Sequence, residues 1–399
     1  MIIGLLALFG LSAWADDDLA ACDFSSDGFS IHILTVSPGD TVDKIFGHTA
    51  IIVYDPSLGE DSIAYDFGWV DMSDPMLVWD ILNATQDYRV GRWTLEATRE
   101  KISRLGRGAI AQKLDVSPTQ VHQIANSLVA TTRGDSTFRY NWYRPNCTTK
   151  VSELIDGVLR GDLKAQHTDP SGTSPAREVL RHSAHMPSLW FGLHWGSGRV
   201  ADEEISWWDA MFLPEPLMIR LRQSTLASPD GTRRPLVSSE CRLLDPDLPE
   251  PLALAPNRNL PLGGIGLLMG LAVAGAGVAS RRSGIFAVGA LGAGLGLFGC
   301  AALIVGLAGT FAPFWGHHNL WFASPLSSGL AIAAVIAHRR PDNPQAKWIA
   351  AGVLALGVLG VAASALHGFA DRNIGIAALI LPALAAALWV LARKDGREK

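Results

Sequence analysis

The sequence predicts a mixed α+β domain followed by an all-α transmembrane domain. Three observations lead to this fold class. The part of the 399-residue chain after Pro261 consists mostly of Gly, Ala, Leu, Val and Ile. The part before it mixes short strand patterns with amphipathic helix patterns, which is typical of α+β domains. One of those helices begins at a cysteine, Cys147, in the stretch FRYNWYRPNCTTK.

The charge of the chain is divided in the same way. After Pro261 there are ten Lys and Arg residues against four Asp and Glu, whereas the rest has 23 against 34. Nucleic-acid binding needs a basic surface, so the acidic front part argues against a nucleic-acid partner.

Residues 1–15 form an apolar N-terminus that ends in Ala-Trp-Ala before three aspartates. This pattern predicts a signal peptide, although the usual basic segment is missing and an uncleaved anchor is the alternative. We therefore expect three parts: the signal or anchor at 1–15, an exported domain at 16–260 and a membrane domain at 261–399.

Five apolar runs in the membrane domain are each about the length that spans a bilayer as a helix. They cover residues 262–280, 284–307, 321–337, 348–366 and 374–392. Most of the basic loop residues fall on one side of these runs, and the positive-inside rule makes that side cytoplasmic. Five spans then place the N-terminal domain outside the cytoplasm, so we expect a multi-pass membrane protein with an exported N-terminal domain.

One outer loop, residues 311–322 (FAPFWGHHNLWF), is rich in aromatic side chains that suit a membrane interface. Either His317 or His318 alone is best read as an interfacial polar residue. The loop as a whole, with Asn319, is a candidate substrate-binding element that faces the exported domain.

The exported domain starts with three predicted strands at residues 29–36, 49–54 and 63–67. Ser117 and Gln120 predict a capped helix over 117–130. The sheet is therefore expected mainly before residue 70, with helices after it.

Cys147 is the candidate nucleophile because a helix N-terminus lowers the pKa of a thiol. Val151, Leu154 and Ile155 give the following segment its helical period, and Asn146 is the expected N-cap. The thiolate needs a base, for which His48, at the start of a strand after Gly47, is the candidate. His32 on the preceding strand competes with it, and a purely structural histidine is the plain alternative. Cys22 and Cys241 are either a disulfide or a free pair, and the exported location favours the disulfide.

The series LTVSPGDTVDKIFGHTAIIVYD, AYDFG and FRYNWYRPNCTTKVSELID resembles the Lnb N-terminal periplasmic domain family. The segment DEEISWWDAMFL and the loop HHNLWFASPL also fit that family's pattern, so the resemblance covers most of residues 29–217 and, more loosely, the tail.

The resemblance implies a circularly permuted papain-like fold, similar to NlpC and lecithin:retinol acyltransferase-like enzymes. It also implies a lipoprotein N-acyltransferase that moves an acyl chain from a phospholipid donor to the α-amino group of a diacylated lipoprotein acceptor. The roles carried over are Cys147 as nucleophile and His48 as base. Asp66, on the next strand, is our candidate for the residue that orients the imidazole, with Tyr54 behind it. Arg144 and Asn146 are candidate substrate-binding residues beside the nucleophile, and Arg144 stands where many members have an acidic residue.

This chemistry needs no metal or nucleotide cofactor. Two other functions use the same features. One is a membrane-anchored papain-like amidase or peptidase of the cell envelope. The other is a non-enzymatic envelope protein in which the Cys–His element is a relic.

Overall fold

The computed structural model describes residues 19–70, 75–76, 80, 85–133, 137–228, 231–308, 316, 318–366 and 370–393. The contacts between residues divide the chain into two compact units. The first comprises residues up to 189 together with 203–255, and the second comprises 190–202 together with 256 onward. A short internal segment, 190–202, thus belongs to the second unit. The signal or anchor expected at 1–15 lies outside the described residues.

The first unit is a mixed α+β domain, as the sequence predicts. Its strands are β1 Ser30–Val36, β2 His48–Tyr54, β3 Ile63–Trp69, β4 Asp87–Thr94, β5 Ala109–Leu114, β6 Phe138–Arg139, β7 Thr225–Ala227, β8 Arg233–Pro235 and β9 Val237–Leu244. Its α-helices are α1 Leu95–Arg104, α2 Pro118–Arg133, α3 Cys147–Val158, α4 Asp162–Ala165, α5 Pro175–His182, α7 Trp207–Ala210 and α8 Pro214–Gln223, and a 3₁₀ turn covers Gly59–Asp61. The helix α6, Pro187–Gly196, belongs mainly to the second unit.

Seven of these strands form one antiparallel sheet in the order β6-β4-β3-β2-β1-β5-β9, and β7 pairs with β8 separately. The expectation that the sheet lies mainly before residue 70 is wrong, because four of its seven strands follow that position. β4 (DYRVGRWT) and β9 (VSSECRLL) are half exposed and rich in polar residues, so their strand pattern is weak in the sequence.

Hydrophobic side chains cover the sheet in two clusters. The larger contains Ile31, Ile33 and Ile51 together with residues of α2 and α3, and the other contains Leu34, Ile52 and neighbouring residues. The helix α3 packs against β2 and β3 at the centre of the sheet. This packing fixes the helix start next to the beginning of β2.

The predicted local features at both helix starts are confirmed. Ser117 and Gln120 exchange hydrogen bonds at the start of α2. Asn146 caps α3 by accepting from the N–H groups of Thr148 and Thr149. The disulfide between Cys22 and Cys241 is also present, and it joins the N-terminal segment to β9.

The second unit contains five helices that are long and apolar enough to cross a membrane: Asn259–Ala279, Arg281–Ile304, His318–Arg339, Gln345–Leu366 and Asn373–Ala392. Its α-helices are α9 Asn259–Ala279, α10 Arg281–Ala308, α11 Gly329–Arg339, α12 Gln345–Leu366 and α13 Ala370–Ala392. 3₁₀ turns cover Arg199–Asp202, His318–Trp321 and Pro325–Ser328.

The third span, expected over 321–337, is interrupted. Its first part consists of two 3₁₀ turns, and the α-helix starts only at Gly329. Ser324 and Ser327 form a capping box around Pro325, so a new helical turn begins there. The glycines support close helix packing, as expected: a Cβ on Gly266 would lie 2.2 Å from the Ala378 carbonyl oxygen.

Candidate functional site

The start of α3 presents the thiol of Cys147, which is only 7% exposed. The cap that builds this helix start is extensive. Asn146 accepts from two N–H groups through Oδ1, and its own N–H donates to the Thr149 hydroxyl at 2.8 Å. Its side-chain NH₂ group donates to the carbonyl oxygens of Trp142 and Phe212. Asn146 thus joins the start of α3 to two other segments, and its side chain is fully engaged in hydrogen bonds within the domain.

The same cap determines which backbone N–H groups at the start of α3 remain available to bind an oxyanion. The N–H groups of Thr148 and Thr149 are bound by the Asn146 side chain, and that of Lys150 is bound by the Asn146 carbonyl. In the first turn of α3, these contacts leave the N–H of Cys147 available to stabilise negative charge on a substrate oxygen.

His48 lies at the first position of β2, and its Nε2 is 2.7 Å from Oδ1 of Asp66 on β3. The register explains this contact, because Asp66 stands opposite Ala50, two residues from His48. The bond to Asp66 occupies Nε2, so Nδ1 is the ring nitrogen that remains to exchange a proton with the thiol. The imidazole is 25% exposed, so the site opens to solvent on the histidine side.

The pKa values of His48, Asp66 and Cys147 are all shifted in the directions expected for a positive His48 between two negative groups. Burial alone lowers the pKa of His48, but the charges of Asp66 and of the Cys147 thiolate, with hydrogen bonds to both, raise it to about 10. Burial alone raises the pKa of Asp66, but the imidazolium of His48 outweighs this and the pKa is lowered.

Burial likewise favours the neutral thiol of Cys147, yet the net shift of its pKa is downward. The charge of His48 and its hydrogen bond are the main causes, followed by the Thr148 hydroxyl and the backbone N–H of Thr49. These pKa shifts favour an imidazolium–thiolate pair, with the imidazolium bonded to the Asp66 carboxylate.

Other groups near the ion pair did not stand out in the sequence. The rings of Tyr88 and Tyr140 are stacked 4.1 Å apart between centroids. Burial and the negative charge of Cys147 raise the pKa of Tyr88 to about 12, and they raise that of Tyr140 well above its ordinary value. Both phenols thus remain protonated donors. A hydrogen bond from Asn141 N–H to the Pro145 carbonyl closes the loop that brings Tyr140 back towards the helix start.

Arg107 is another group that the sequence did not indicate. It is 6% exposed and donates to the Ser37 carbonyl. Burial lowers its pKa to about 10, although the negative charges of Cys147, Asp43 and Asp66 act in the opposite direction. Its only sequence signal was a basic residue before a glycine in a loop.

Two expected site residues have other contacts. Tyr54 was expected behind Asp66, but it lies four residues along β2 from Ala50, the partner of Asp66, which is about 13 Å. Its ring stacks on Phe24 at 5.4 Å. Arg144 is engaged by Glu153 and Asp209, and its guanidinium lies over the Trp208 ring at 5.1 Å. Arg144 therefore stabilises the segment that leads into α3.

The outer-loop residues belong to the second unit. His317 lies outside the described residues. His318 begins a 3₁₀ turn, and the buried Asn319 donates to the Trp195 carbonyl at 2.8 Å. Trp195 in turn packs edge-on against Phe298, so Asn319 fixes the internal segment 190–202 within this unit.

The fold and the site define a class: an α+β domain with a carboxylate-supported Cys–His pair at a helix start, followed by five long apolar helices among the described residues. Among the described residues, no group of three or more His, Cys, Asp or Glu side chains is arranged to hold a metal ion.

The comparison with protein families names the domain. Residues 17–182 match the family model of the Lnb N-terminal periplasmic domain, which is the family that the motifs in this part of the chain resemble. The match contains His48, Asp66 and Cys147, and it ends with α5. The chain is accordingly a multi-pass membrane protein with a periplasmic domain. Searches of curated proteins and of solved structures give no significant match.

Proposed function

We propose that the chain is a thiol-dependent transacylase. In this proposal it moves an acyl chain from a phospholipid to the α-amino group of a diacylated lipoprotein cysteine. The observation that carries the proposal is the grouping of Cys147, at the start of α3, with His48 and Asp66. In this group the pKa of the thiol is lowered and that of the imidazole is raised. The permuted papain-like arrangement, with the histidine before the cysteine in the chain, is part of the proposal.

In the first step the Cys147 thiolate attacks the ester carbonyl carbon of the phospholipid. The carbonyl oxygen takes the negative charge, and the N–H of Cys147 is placed to stabilise it. When the ester C–O bond breaks, the proton on His48 passes to the leaving oxygen, and a lysophospholipid departs. An acyl thioester on Sγ remains.

In the second step the free α-amine of the lipoprotein attacks the thioester carbon. His48, now neutral, accepts a proton from the amine, and the thiolate leaves. The products are an amide and the original ion pair, so no oxidant, metal or nucleotide enters the balance. Asp66 keeps the imidazole oriented in both steps and stabilises it when it is charged.

The apolar helices support this substrate class over a soluble one. Both substrates carry long acyl chains, and a chain with five helices able to span a bilayer works where such lipids are found. An inner-membrane location is part of the same proposal.

The test is acyl transfer by the purified full-length protein, in mixed micelles of phospholipid with a synthetic diacylated lipopeptide. Mass spectrometry should detect a lipopeptide heavier by one acyl chain. Cys147→Ser should abolish the product. Cys300→Ser is the matched control, since Cys300 is the other free cysteine among the described residues and should be dispensable. Cleavage of the peptide without acylation would favour the amidase alternative, and activity retained by Cys147→Ser would exclude the thioester mechanism.

A further inference from the structure

Two threonine hydroxyls lie behind the sulfur of Cys147. Thr148 Oγ1 is 3.7 Å from Sγ, which is a normal distance for a hydrogen bond to sulfur. Thr148 Oγ1 is also 3.3 Å from Oγ1 of Thr49 on β2. Both threonines are 0% exposed, so water cannot replace either contact.

The protonation state of the sulfur decides which hydroxyl donates. A threonine hydroxyl has one proton to donate, and a thiolate can only accept. When Cys147 is ionised, Thr148 donates to Sγ and its oxygen is then free to accept from Thr49. The contacts therefore form a chain of two hydrogen bonds that ends on the negative charge, and the first bond polarises and strengthens the second.

We propose that Thr49 and Thr148 form a two-hydroxyl relay that stabilises the Cys147 thiolate, Thr148 by direct contact and Thr49 through Thr148. Neither hydroxyl transfers its proton. They are positioning residues, and the relay relaxes when the sulfur becomes a neutral thioester.

The other roles open to these hydroxyls are already filled. The capping box of α3 is made by Asn146 and Thr149, so the Thr148 side chain is not needed for the cap. Packing alone would not require a hydroxyl, because valine has the same shape. Thr35 gives an internal comparison: it stands opposite Thr49 in the sheet, and its buried Oγ1 has no hydrogen-bond partner among the described residues.

The inference takes Cys147 as the nucleophile and so rests on the proposed function, but its test does not require acyl transfer. The full-length protein in detergent is alkylated with iodoacetamide between pH 4 and 10, and the rate at Cys147 is measured by peptide mass spectrometry. Cys300 serves as the reference thiol in every sample. The pH at half-maximal rate reports the ionisation of Cys147.

Thr148→Val should raise this midpoint by about one pH unit, because it removes a charge-assisted hydrogen bond. Thr148→Ser should restore it. Thr49→Val should give a smaller rise, and adding it to Thr148→Val should change nothing further. The Thr49 hydroxyl acts only through Thr148, and the backbone N–H of residue 49 is kept in the variant. Thr35→Val is the matched control and should match the wild type.

A wild-type midpoint in folded Thr148→Val protein, or additive effects of the two valines, would overturn the relay. If Thr148→Val does not fold, Thr49→Val decides the matter, since an unchanged midpoint there contradicts the proposal. The shifts distinguish this inference from the proposed function. If the alkylation midpoint shifts as predicted but the protein transfers no acyl chain, the relay proposal stands and the transacylase proposal fails.

Discussion

The regions around His48 and His32 show how similar contacts lead to opposite chemistry. Both histidines lie on neighbouring strands, and each has a carboxylate within reach: Asp66 at 2.7 Å from His48 and Asp27 at 3.2 Å from His32. Yet the pKa of His48 is raised to about 10, whereas that of His32 is lowered to about 4.

The difference comes from what else surrounds each ring. Burial is the main cause of the low pKa of His32, and the positive charge of Lys113 adds to it. Lys113 also forms an ion pair with Asp27, which reduces the attraction between Asp27 and a charged His32. At His48 the pKa is raised by two anions, Asp66 and the Cys147 thiolate. A histidine next to a carboxylate is therefore not by itself a catalytic histidine, and the balance of nearby charges decides.

The largest expected effect separates the two histidines directly. His48→Asn should lower the rate of acyl transfer by about 10³-fold, because it removes the group that carries the proton in both steps. It should also move the alkylation midpoint of Cys147 up towards that of an ordinary thiol. His32→Asn is the matched control and should retain most of the activity. Equal losses in both variants would mean that His48 acts only through the fold.

The second prediction concerns the two carboxylates. Asp66→Asn should lower the rate by about 10²-fold, since the amide keeps the shape but no longer stabilises a charged imidazole. The pH at which His48 loses its proton should fall from about 10, which NMR of ¹⁵N-labelled histidine can measure. Asp27→Asn, beside His32, should leave the rate unchanged. An unaltered His48 titration in Asp66→Asn would contradict the assigned charge distribution.

The core of the site could be predicted from the sequence because it depends on local signals. Asn146 before Cys147 and glycine before His48 mark a helix start and a strand start, and Asp66 follows from strand order. Tyr54 could not be assigned in this way. The distance between Tyr54 and Asp66 depends on the register of β2 against β3. The sequence alone does not specify that register, because it does not show the geometry of the turn between the two strands.

The two units also differ in how readily the sequence predicts their fold. The apolar runs predict the five long helices because nearly every residue in them is apolar, and Pro325 interrupts the third run. In the first unit the sequence does not indicate β4 and β9, because polar residues occupy much of each strand. The Thr49–Thr148 contact joins residues 99 positions apart, and only tertiary packing creates it.

The third prediction concerns how His48 is held. Gly47 has a φ of +83°, and a Cβ there would lie 2.8 Å from the Val36 carbonyl oxygen. Gly47→Ala should cost about 1–3 kcal/mol of stability and lower the transfer rate roughly tenfold by displacing the start of β2. Gly28→Ala, near the start of the strand that carries His32, is the matched control because no atom lies within 4 Å of its added Cβ. A similar melting temperature for the two variants would contradict the strain argument.

The smallest effect is confined to stability and belongs to His32. The pKa of His32 in the folded state, about 4, is below its ordinary value of 6.5, so the unfolded chain binds more protons between these two pH values. Folding stability should therefore fall as the pH is lowered through this window, by up to about 3 kcal/mol from this residue. His32→Gln should make the melting temperature, followed by tryptophan fluorescence in detergent, less sensitive between pH 6.5 and 4.

The comparison of pH slopes isolates His32, because His182, whose pKa is also lowered to about 3, is present in both proteins. Activity above pH 7 should be the same in wild type and His32→Gln, since His32 is neutral there. Parallel pH slopes would show that His32 is charged in the folded protein. In that case burial and Lys113 would not explain why the pKa values of His32 and His48 differ, and the Cys147 thiolate alone would account for the difference.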